Sequence, residues 1–144
     1  MATVGNYNAR NIIIIAAGIP ISGGFAPGSK VKVTQTNDSY TVQEGVEGDI
    51  TRSATNSSLF TVTFRLLQTS KFNAPLSAFH TADRASVNGS GIAPTTVKDK
   101  GGASLHFLAQ SWITKFPEAD YSGEDTFREW VITGLSEVNI LGGN

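Results

Sequence analysis

Apolar side chains along this chain recur mainly at every second position, which is the period of a strand with one buried face. The run from Leu59 to Thr69 is predicted to be the longest strand, and one of its faces carries Phe60, Val62, Phe64 and Leu66. Further strands are predicted over residues 12–15, 19–22, 30–36, 40–43, 50–53, 95–98, 104–116 and 126–133. The pattern therefore predicts a mainly β chain.

One short segment departs from this period and indicates a helix. Leu76, Phe79 and Ala82 recur every third residue, so their side chains would share one helix face. Asn73 is suited to the N-cap, and Pro75 would fall in the first turn, where a missing N–H costs nothing. These features predict a helix over about residues 73–84, anchored on the sheets by Asn73, Leu76 and Phe79.

Residues 36–58 are too polar for a core, and 23 residues exceed the median of about 4–6 for an ordinary connection. The segment has two strand-like stretches around a turn in which Gly45 and Gly48 are expected to supply positive φ. We therefore predict a projecting arm that joins neighbouring subunits. Its expected contacts are Asp38, Glu44, Glu47, Asp49 and Arg52, with Lys30 or Lys32 as further basic partners on an adjacent copy.

The predicted strand over residues 104–116 carries large apolar groups on both of its faces. By strict alternation, one face would hold Leu105, Phe107 and Ile113. The other face would hold Leu108, Trp112 and Phe116. Such a strand lies between two layers, either within one subunit or between subunits.

Length and composition narrow the possible functions. The 144 residues are expected to form one domain over positions 1–144, without cysteine-based metal sites or nucleophiles because the chain has no cysteine. A net charge of -1 provides no positive field to attract nucleic acid. Charged residues make up only 16% of the chain, against about a quarter in typical domains, which predicts that partners cover much of the surface.

The residues suited to catalysis or metal binding are few and scattered. His80 and His106 are the only histidines, and neither has a carboxylate at a spacing typical of acid–base or metal chemistry. The acidic cluster from Glu44 to Asp49 lacks the spacing of a calcium loop. We therefore expect no catalytic residue, no metal site and no cofactor, and the chain is not expected to be an enzyme.

The apolar run over residues 12–17 is far shorter than the ~20 residues that a membrane span needs, and it has no basic leader. Neither a membrane anchor nor a signal peptide is expected.

A series of different short motifs occurs along nearly the whole chain. They are Asp38-Ser-Tyr-Thr, Gly45-x-x-Gly48, Thr51-Arg52-Ser53, Gln68-Thr69-Ser70-x-x-Asn73-x-x-Leu76-Ser77, Val97-Lys-Asp99, Ala109-x-x-Trp112-Ile113, Phe116-Pro117, Arg128-Glu129-Trp130 and Gly142-Gly143-Asn144. In order and spacing, from about Tyr7 to Asn144, the chain resembles the tail tube proteins of contractile-tailed bacteriophages.

This resemblance implies a fold of two antiparallel sheets forming a sandwich or barrel, flanked by one short helix. It implies hexameric rings that stack into a hollow tube inside a contractile sheath and deliver DNA. The implied partners are further copies of the chain, a tail sheath protein, and baseplate and terminator proteins, while DNA passes through the lumen without specific binding. The implied location is the virion tail, after synthesis and assembly in the host cytoplasm.

Two other functions remain open. A carbohydrate- or peptide-binding β-sandwich would need Trp112 or Trp130 exposed in a pocket. A subunit of a related protein-secretion tube would differ in what passes through the bore.

For a DNA conduit we expect a bore surface with little net positive charge, because a lysine-lined wall would release counterions from DNA and hold it.

Overall fold

The computed structural model describes residues 2–89, 91–124 and 126–142, so Gly143 and Asn144 of the terminal motif lie outside the described residues. Within these ranges the helix α1 (Asn73–Ala85) separates the sixth and seventh of nine strands. The strands β1 to β9 are Ile12–Ala16, Ile19–Ile21, Val31–Gln35, Tyr40–Glu44, Ile50–Ala54, Leu59–Leu67, Ala93–Asp99, Leu105–Lys115 and Phe127–Ile140. A 3-10 turn, Ala9–Asn11, precedes β1.

Seven strands form one antiparallel sheet in the order β2-β1-β7-β8-β9-β6-β3, while β4 and β5 form a second, two-stranded sheet. The predicted fold class, mainly β with two antiparallel sheets and one short helix, is confirmed. The order leaves β2 and β3 as edges, so the sheet is not closed into a barrel. It is curled, since Lys30 beside edge strand β3 donates from Nζ to the Ile12 carbonyl in β1 at 2.7 Å. Of the two predicted forms, the sandwich is the one that fits.

The hydrophobic core lies on the concave side of this curled sheet, and helix α1 contributes to it. Its largest fully buried side chains are Trp130, Phe64, Ile14 and Leu66, which come from three different strands. Leu76 of the helix is also fully buried among them. The helix therefore covers apolar surface that the open sheet would otherwise expose to water.

The helix begins where predicted, but Asn73 is not its N-cap. Phe72 occupies the N-cap position and makes no side-chain capping bond. The Asn73 amide instead donates to the Leu67 carbonyl at 3.0 Å, so it joins the helix to the end of β6. Ala82 is exposed, so the packed face predicted from three-residue spacing is wrong at this position.

The two predicted faces of the strand over residues 104–116 are also wrong. Strand β8 shifts register against β9 near Leu108 and again after Ile113. Because a bulge inserts one residue, it reverses which residues face the core beyond it. As a result Leu108, Ser111 and Ile113 are all buried, although strict alternation places Leu108 and Ile113 on opposite faces.

Strand β9, with 14 residues, is the longest strand, whereas β6 has nine, so the prediction for residues 59–69 is wrong in this respect. The predicted strand over 126–133 continues through Gly134 to Ile140. A Cβ at Gly134 would lie 2.6 Å from both the Gln110 carbonyl oxygen and the Ser111 Cβ. Glycine therefore permits the close approach of β8 and β9 at this point.

Candidate functional site

The predicted arm over residues 36–58 is confirmed as a hairpin that projects from the seven-stranded sheet. Every residue of β4 and β5 is exposed. At its root the Thr36 N–H donates to the Leu59 carbonyl at 3.0 Å, and the Thr55 N–H donates to the Ser39 carbonyl at 2.8 Å. The first bond connects the arm to the start of β6, and the second pairs the two sides of the arm with each other, so neither provides a core beneath it.

The tip of the arm is closed by backbone hydrogen bonds. The Gly45 N–H donates to the Asp49 carbonyl at 2.7 Å, and the Gly48 N–H donates to the Gly45 carbonyl at 3.1 Å. Gly48 has a φ of 91°, so the predicted positive φ is confirmed there. The same prediction is wrong for Gly45, which is not among the positive-φ glycines. The tip is thus a compact turn that holds β4 and β5 in register.

The two faces of the arm differ in chemistry. Cross-strand pairs Tyr40↔Ala54, Val42↔Arg52 and Glu44↔Ile50 place these six residues on one face, which we call the arm face. The opposite face carries only Thr41, Gln43, Thr51 and Ser53. Val42 and Ile50 are each 68% exposed, so the apolar part of the arm face is uncovered. The sequence analysis missed this face, although alternation of Tyr40 and Val42 with polar residues could have revealed it.

The four acidic residues predicted to contact other subunits lie along the whole arm. Asp38 precedes β4, Glu44 ends it, Glu47 lies in the tip, and Asp49 precedes β5. All four are exposed in the subunit. The structure brings them to one projecting element, and their role in intersubunit contacts stays a prediction.

The predicted basic partners are placed in different environments. The Arg52 guanidinium lies 4.1 Å from the centre of the Tyr40 ring, a cation–π contact on the arm face. Lys30 donates to two backbone carbonyls, and burial lowers its pKa by desolvating the charged amine. Lys32 is exposed. Of the two lysines, Lys32 is therefore the more available to an acidic group of a neighbour.

The three predicted helix anchors lie at the junction of helix and sheet. Leu76 is fully buried, and Phe79 is partly buried against the same core cluster. The Asn73 side chain accepts a hydrogen bond from Trp130 Nε1 at 3.0 Å while it donates to the Leu67 carbonyl. Asn73 thus satisfies the indole N–H of a side chain that is only 1% exposed.

A second uncovered apolar surface lies on the convex side of β8 and β9. Successive pairs are Leu105↔Ile140, His106↔Asn139 and Phe107↔Val138. His106 and Asn139 bond to each other and line a cavity on the concave side, so the flanking pairs project outward. With Leu135, these outward residues form what we call the β8–β9 face, made of Leu105, Phe107, Leu135, Val138 and Ile140.

One cavity among the described residues brings ionisable side chains together. This cavity, of about 800 Å³, lies between the N-terminal segment and the curled sheet and includes Lys30, Asp99 and His106. Lys30 Nζ donates to two carbonyl oxygens, and His106 Nδ1 bonds to Asn139 Oδ1 at 3.1 Å. Among residues 2–89, 91–124 and 126–142, no three His, Cys, Asp or Glu side chains are grouped to hold a metal ion.

The two tryptophans give weak support to a stacking platform. Trp130 is buried, and its ring packs edge-to-face with that of Phe116, with 5.6 Å between the ring centres. Trp112 is partly buried on β8. Trp130 therefore cannot present the exposed ring that a carbohydrate-binding sandwich would use.

In the part of the chain that the structure describes, no helix has the length and apolar character required to cross a bilayer.

The described residues thus form a mainly β fold with two uncovered apolar faces, the arm face and the β8–β9 face. The sequence model of the family described as "Bacteriophage PhiTE tail tube protein" matches residues 8–142. The chain is also 31% identical over 121 residues to "Structural protein ORF10" of Pseudomonas phage KPP10, which covers 84% of this chain and 70% of that protein. The chain belongs to this bacteriophage tail tube protein family, and the resemblance noted in its sequence is confirmed.

Two solved structures are similar to this chain in fold. The cap of the anti-feeding prophage, described as its tube terminating cap, has a TM-score of 0.61 at 11% identity and covers 93% of this chain and 90% of its own. The sheath/tube terminator of an extracellular contractile injection system has a TM-score of 0.57 at 14% identity, with 92% and 95% covered. At these identities the likeness supports the fold alone.

Proposed function

We propose that this chain is the structural subunit of a phage tail tube. Copies assemble into hexameric rings, and the rings stack into a hollow conduit through which DNA is delivered. The protein has no enzymatic activity, and its place is the virion tail. Membership of a tail tube protein family supports this proposal directly.

The observation that carries the proposal is the arm. A two-stranded hairpin is at best marginally stable in water by itself, and every residue of β4 and β5 is exposed. A long hairpin with one apolar face has a physical reason to exist only if another molecule covers it. Repetition around a symmetric ring makes many copies of each weak contact, so rim ion pairs of about 0–1 kcal/mol still contribute to assembly.

The partners in this function follow from the position of a tube within a contractile tail. We propose contacts with a sheath protein outside the tube and with baseplate and terminator proteins at its ends. DNA passes through the lumen without specific binding, along a wall with little net positive charge. A continuous ring of Lys and Arg on the bore of an assembled tube would exclude this last point.

A second candidate function is that of a tube terminator. The two solved structures named above are described as a cap and a terminator, which is the specific observation that favours it. A terminator would form a single ring that ends a tube, whereas a tube subunit would add ring upon ring. A subunit of a protein-secretion tube remains the alternative for the cargo, and the phage tail tube family favours DNA.

Electron microscopy of the purified chain tests the proposal. We expect six-membered rings and, at higher concentration, stacked tubes with an open bore. Single rings that never stack would favour the terminator. A chain that stays monomeric at all concentrations, by sedimentation velocity as well, would contradict both assembly functions.

A variant that lacks the arm tip tests the observation itself. Replacing residues 44–49 by a short Gly-Ser link should leave the circular dichroism of the subunit unchanged and abolish tube growth. Val87→Ser is a suitable control, because Val87 is an exposed apolar residue outside the arm. This variant should form tubes normally. Normal tubes from the variant without the tip would remove the arm from the assembly mechanism.

A further inference from the structure

The arm face and the β8–β9 face are both apolar surfaces of paired strands, and both are uncovered in the subunit. Val42 and Ile50 represent the first surface, each 68% exposed. Val138 and Ile140 represent the second, at 39% and 49% exposed. Contiguous exposed apolar surface of this kind marks a place where another molecule binds.

We infer that the arm face of one copy lies on the β8–β9 face of a neighbouring copy. The inference rests on the proposed function, since it names the surface that receives the arm in the assembly. The two surfaces are different, and in a ring or stack each copy gives its arm to one neighbour and receives an arm from another. Such a contact propagates around a ring or along a stack.

The dimensions of the two surfaces match. Strands β4 and β5 have five residues each, which gives a face about 17 Å long at the usual rise per residue. The β8–β9 face extends from the pair Leu105↔Ile140 to the pair Gln110↔Leu135, which is about 20 Å. Each surface is two strands wide, so the hairpin covers its counterpart by face-to-face packing of two sheets.

The charges beside the two faces are also complementary. The arm face has one basic and one acidic residue, Arg52 and Glu44. At the β8–β9 face, Glu137 lies exposed between Leu135 and Val138. On the neighbouring strand β7, exposed Lys98 pairs with Leu105 and so projects to the same side. An Arg52–Glu137 pair and a Glu44–Lys98 pair would fix the direction in which the hairpin lies on the face.

The occupant is a second copy because the arm does not reach the β8–β9 face within its own copy. Both faces are exposed in the same chain. The arm root lies beside the β8–β9 face, since the Ser136 N–H donates to the Ser58 carbonyl at 2.9 Å, yet Val138 and Ile140 remain exposed, so the arm does not fold back over them. One chain therefore carries both halves of a contact that it does not make with itself.

Cysteine cross-linking tests this pairing, and the chain has no cysteine of its own to interfere. We would combine Val42→Cys with Val138→Cys and add a short bismaleimide linker, because packed sheets lie about 10 Å apart. The expected result is a ladder of covalent multimers on a denaturing gel. The matched control combines Thr41→Cys with Val138→Cys. Since Thr41 lies on the opposite face of the same strand, this control should give no ladder.

A charge exchange supplies an independent measurement. Arg52→Glu should raise the concentration needed for assembly by about tenfold or more, because it places two carboxylates together. Adding Glu137→Arg to the same chain should restore assembly at the wild-type concentration. Restoration identifies Glu137 as the partner of Arg52, whereas a purely structural effect of Arg52→Glu would persist in the double variant.

The possible failures are distinguishable. If the wild-type chain forms rings or tubes but the Val42/Val138 pair gives no ladder, or gives only an internally linked monomer, the inference is wrong and the proposed function stands. The same holds if the charge exchange fails to restore assembly. If the wild-type chain forms no assembly and no cross-linked multimers, the proposed function fails and the inference fails with it.

Discussion

The seven-stranded sheet and the arm are both antiparallel β structure, yet they are stabilised in different ways. In β6, Val62, Phe64 and Leu66 are essentially inaccessible to water, and burial of each contributes about 1.5–3 kcal/mol. In β4 and β5 no residue is buried. The sheet is therefore stabilised by a core within the subunit. The arm is held by the backbone pairing of β4 and β5, and its apolar face is exposed.

The polar groups of the two regions show the same difference. Within the sheet, Thr95 and Ser111 are fully buried and their hydroxyls bond to each other at 2.7 Å. Thr95 Oγ1 also accepts from the N–H of Ala17, a residue with an unusual φ of 51°. On the arm, the polar face of Thr41 and Thr51 is open to water. Buried polar groups need internal partners, and exposed ones do not.

Removing the largest core side chain should have the greatest effect on the sheet. Trp130→Ala is expected to lower the free energy of unfolding by about 3–5 kcal/mol, because it leaves a large cavity under the helix. Urea denaturation followed by circular dichroism measures this change. A loss below about 1 kcal/mol would mean that the core is not centred where Trp130 packs.

Truncating the side chain of Leu76, the main helix anchor, should have the next largest effect on the free energy of unfolding. Leu76→Ala is expected to cost about 2–5 kcal/mol, since the side chain is fully buried against the sheet. Phe79→Ala should cost less, because that ring is only partly buried. Ser77→Ala, at a partly exposed position, is the control and should be nearly neutral. Equal stability of the Leu76 and Ser77 variants would show that the helix is peripheral to the core.

Removing the polar link between helix and sheet should have an intermediate effect. Asn73→Ala leaves the buried Trp130 Nε1–H without its acceptor and is expected to cost about 1–3 kcal/mol. Trp130→Phe removes the donor, so Asn73→Ala should cost less in that background. A double-mutant cycle by chemical denaturation measures the coupling. Additive losses would show that the hydrogen bond contributes nothing specific.

Changes on the arm should affect subunit stability least. Val42→Ser is expected to alter the free energy of unfolding by no more than about 0.5 kcal/mol, because Val42 is exposed.

Amide hydrogen exchange compares the local stability of the arm and the sheet directly. In the free subunit, the β4 and β5 amides should exchange far faster than those of β6 and β9, and assembly should slow them. Strong protection of the arm in a free subunit would contradict its dependence on a neighbour.

Local sequence determined the elements that depend on near neighbours in the chain. The two-residue period predicted a strand over residues 30–36, where β3 lies, and the three-residue period after Asn73 with Pro75 in the first turn predicted the helix. The polarity and length of residues 36–58 predicted the arm, and Gly48 has the expected positive φ. These predictions succeed because side-chain periodicity and turn geometry are set by a few consecutive residues.

Only the tertiary structure decided the features that depend on distant residues. The bulges in β8 reverse its alternation, so Leu108 and Ile113 both face the core, and Gly134 lets β9 continue to Ile140 against the β8 backbone. Asn73 turns from a predicted cap into the acceptor for Trp130, 57 residues away. The position of the β8–β9 face likewise depends on which strands pair. No local pattern contains this information, because register and burial are fixed by the partner strand and by what packs on it.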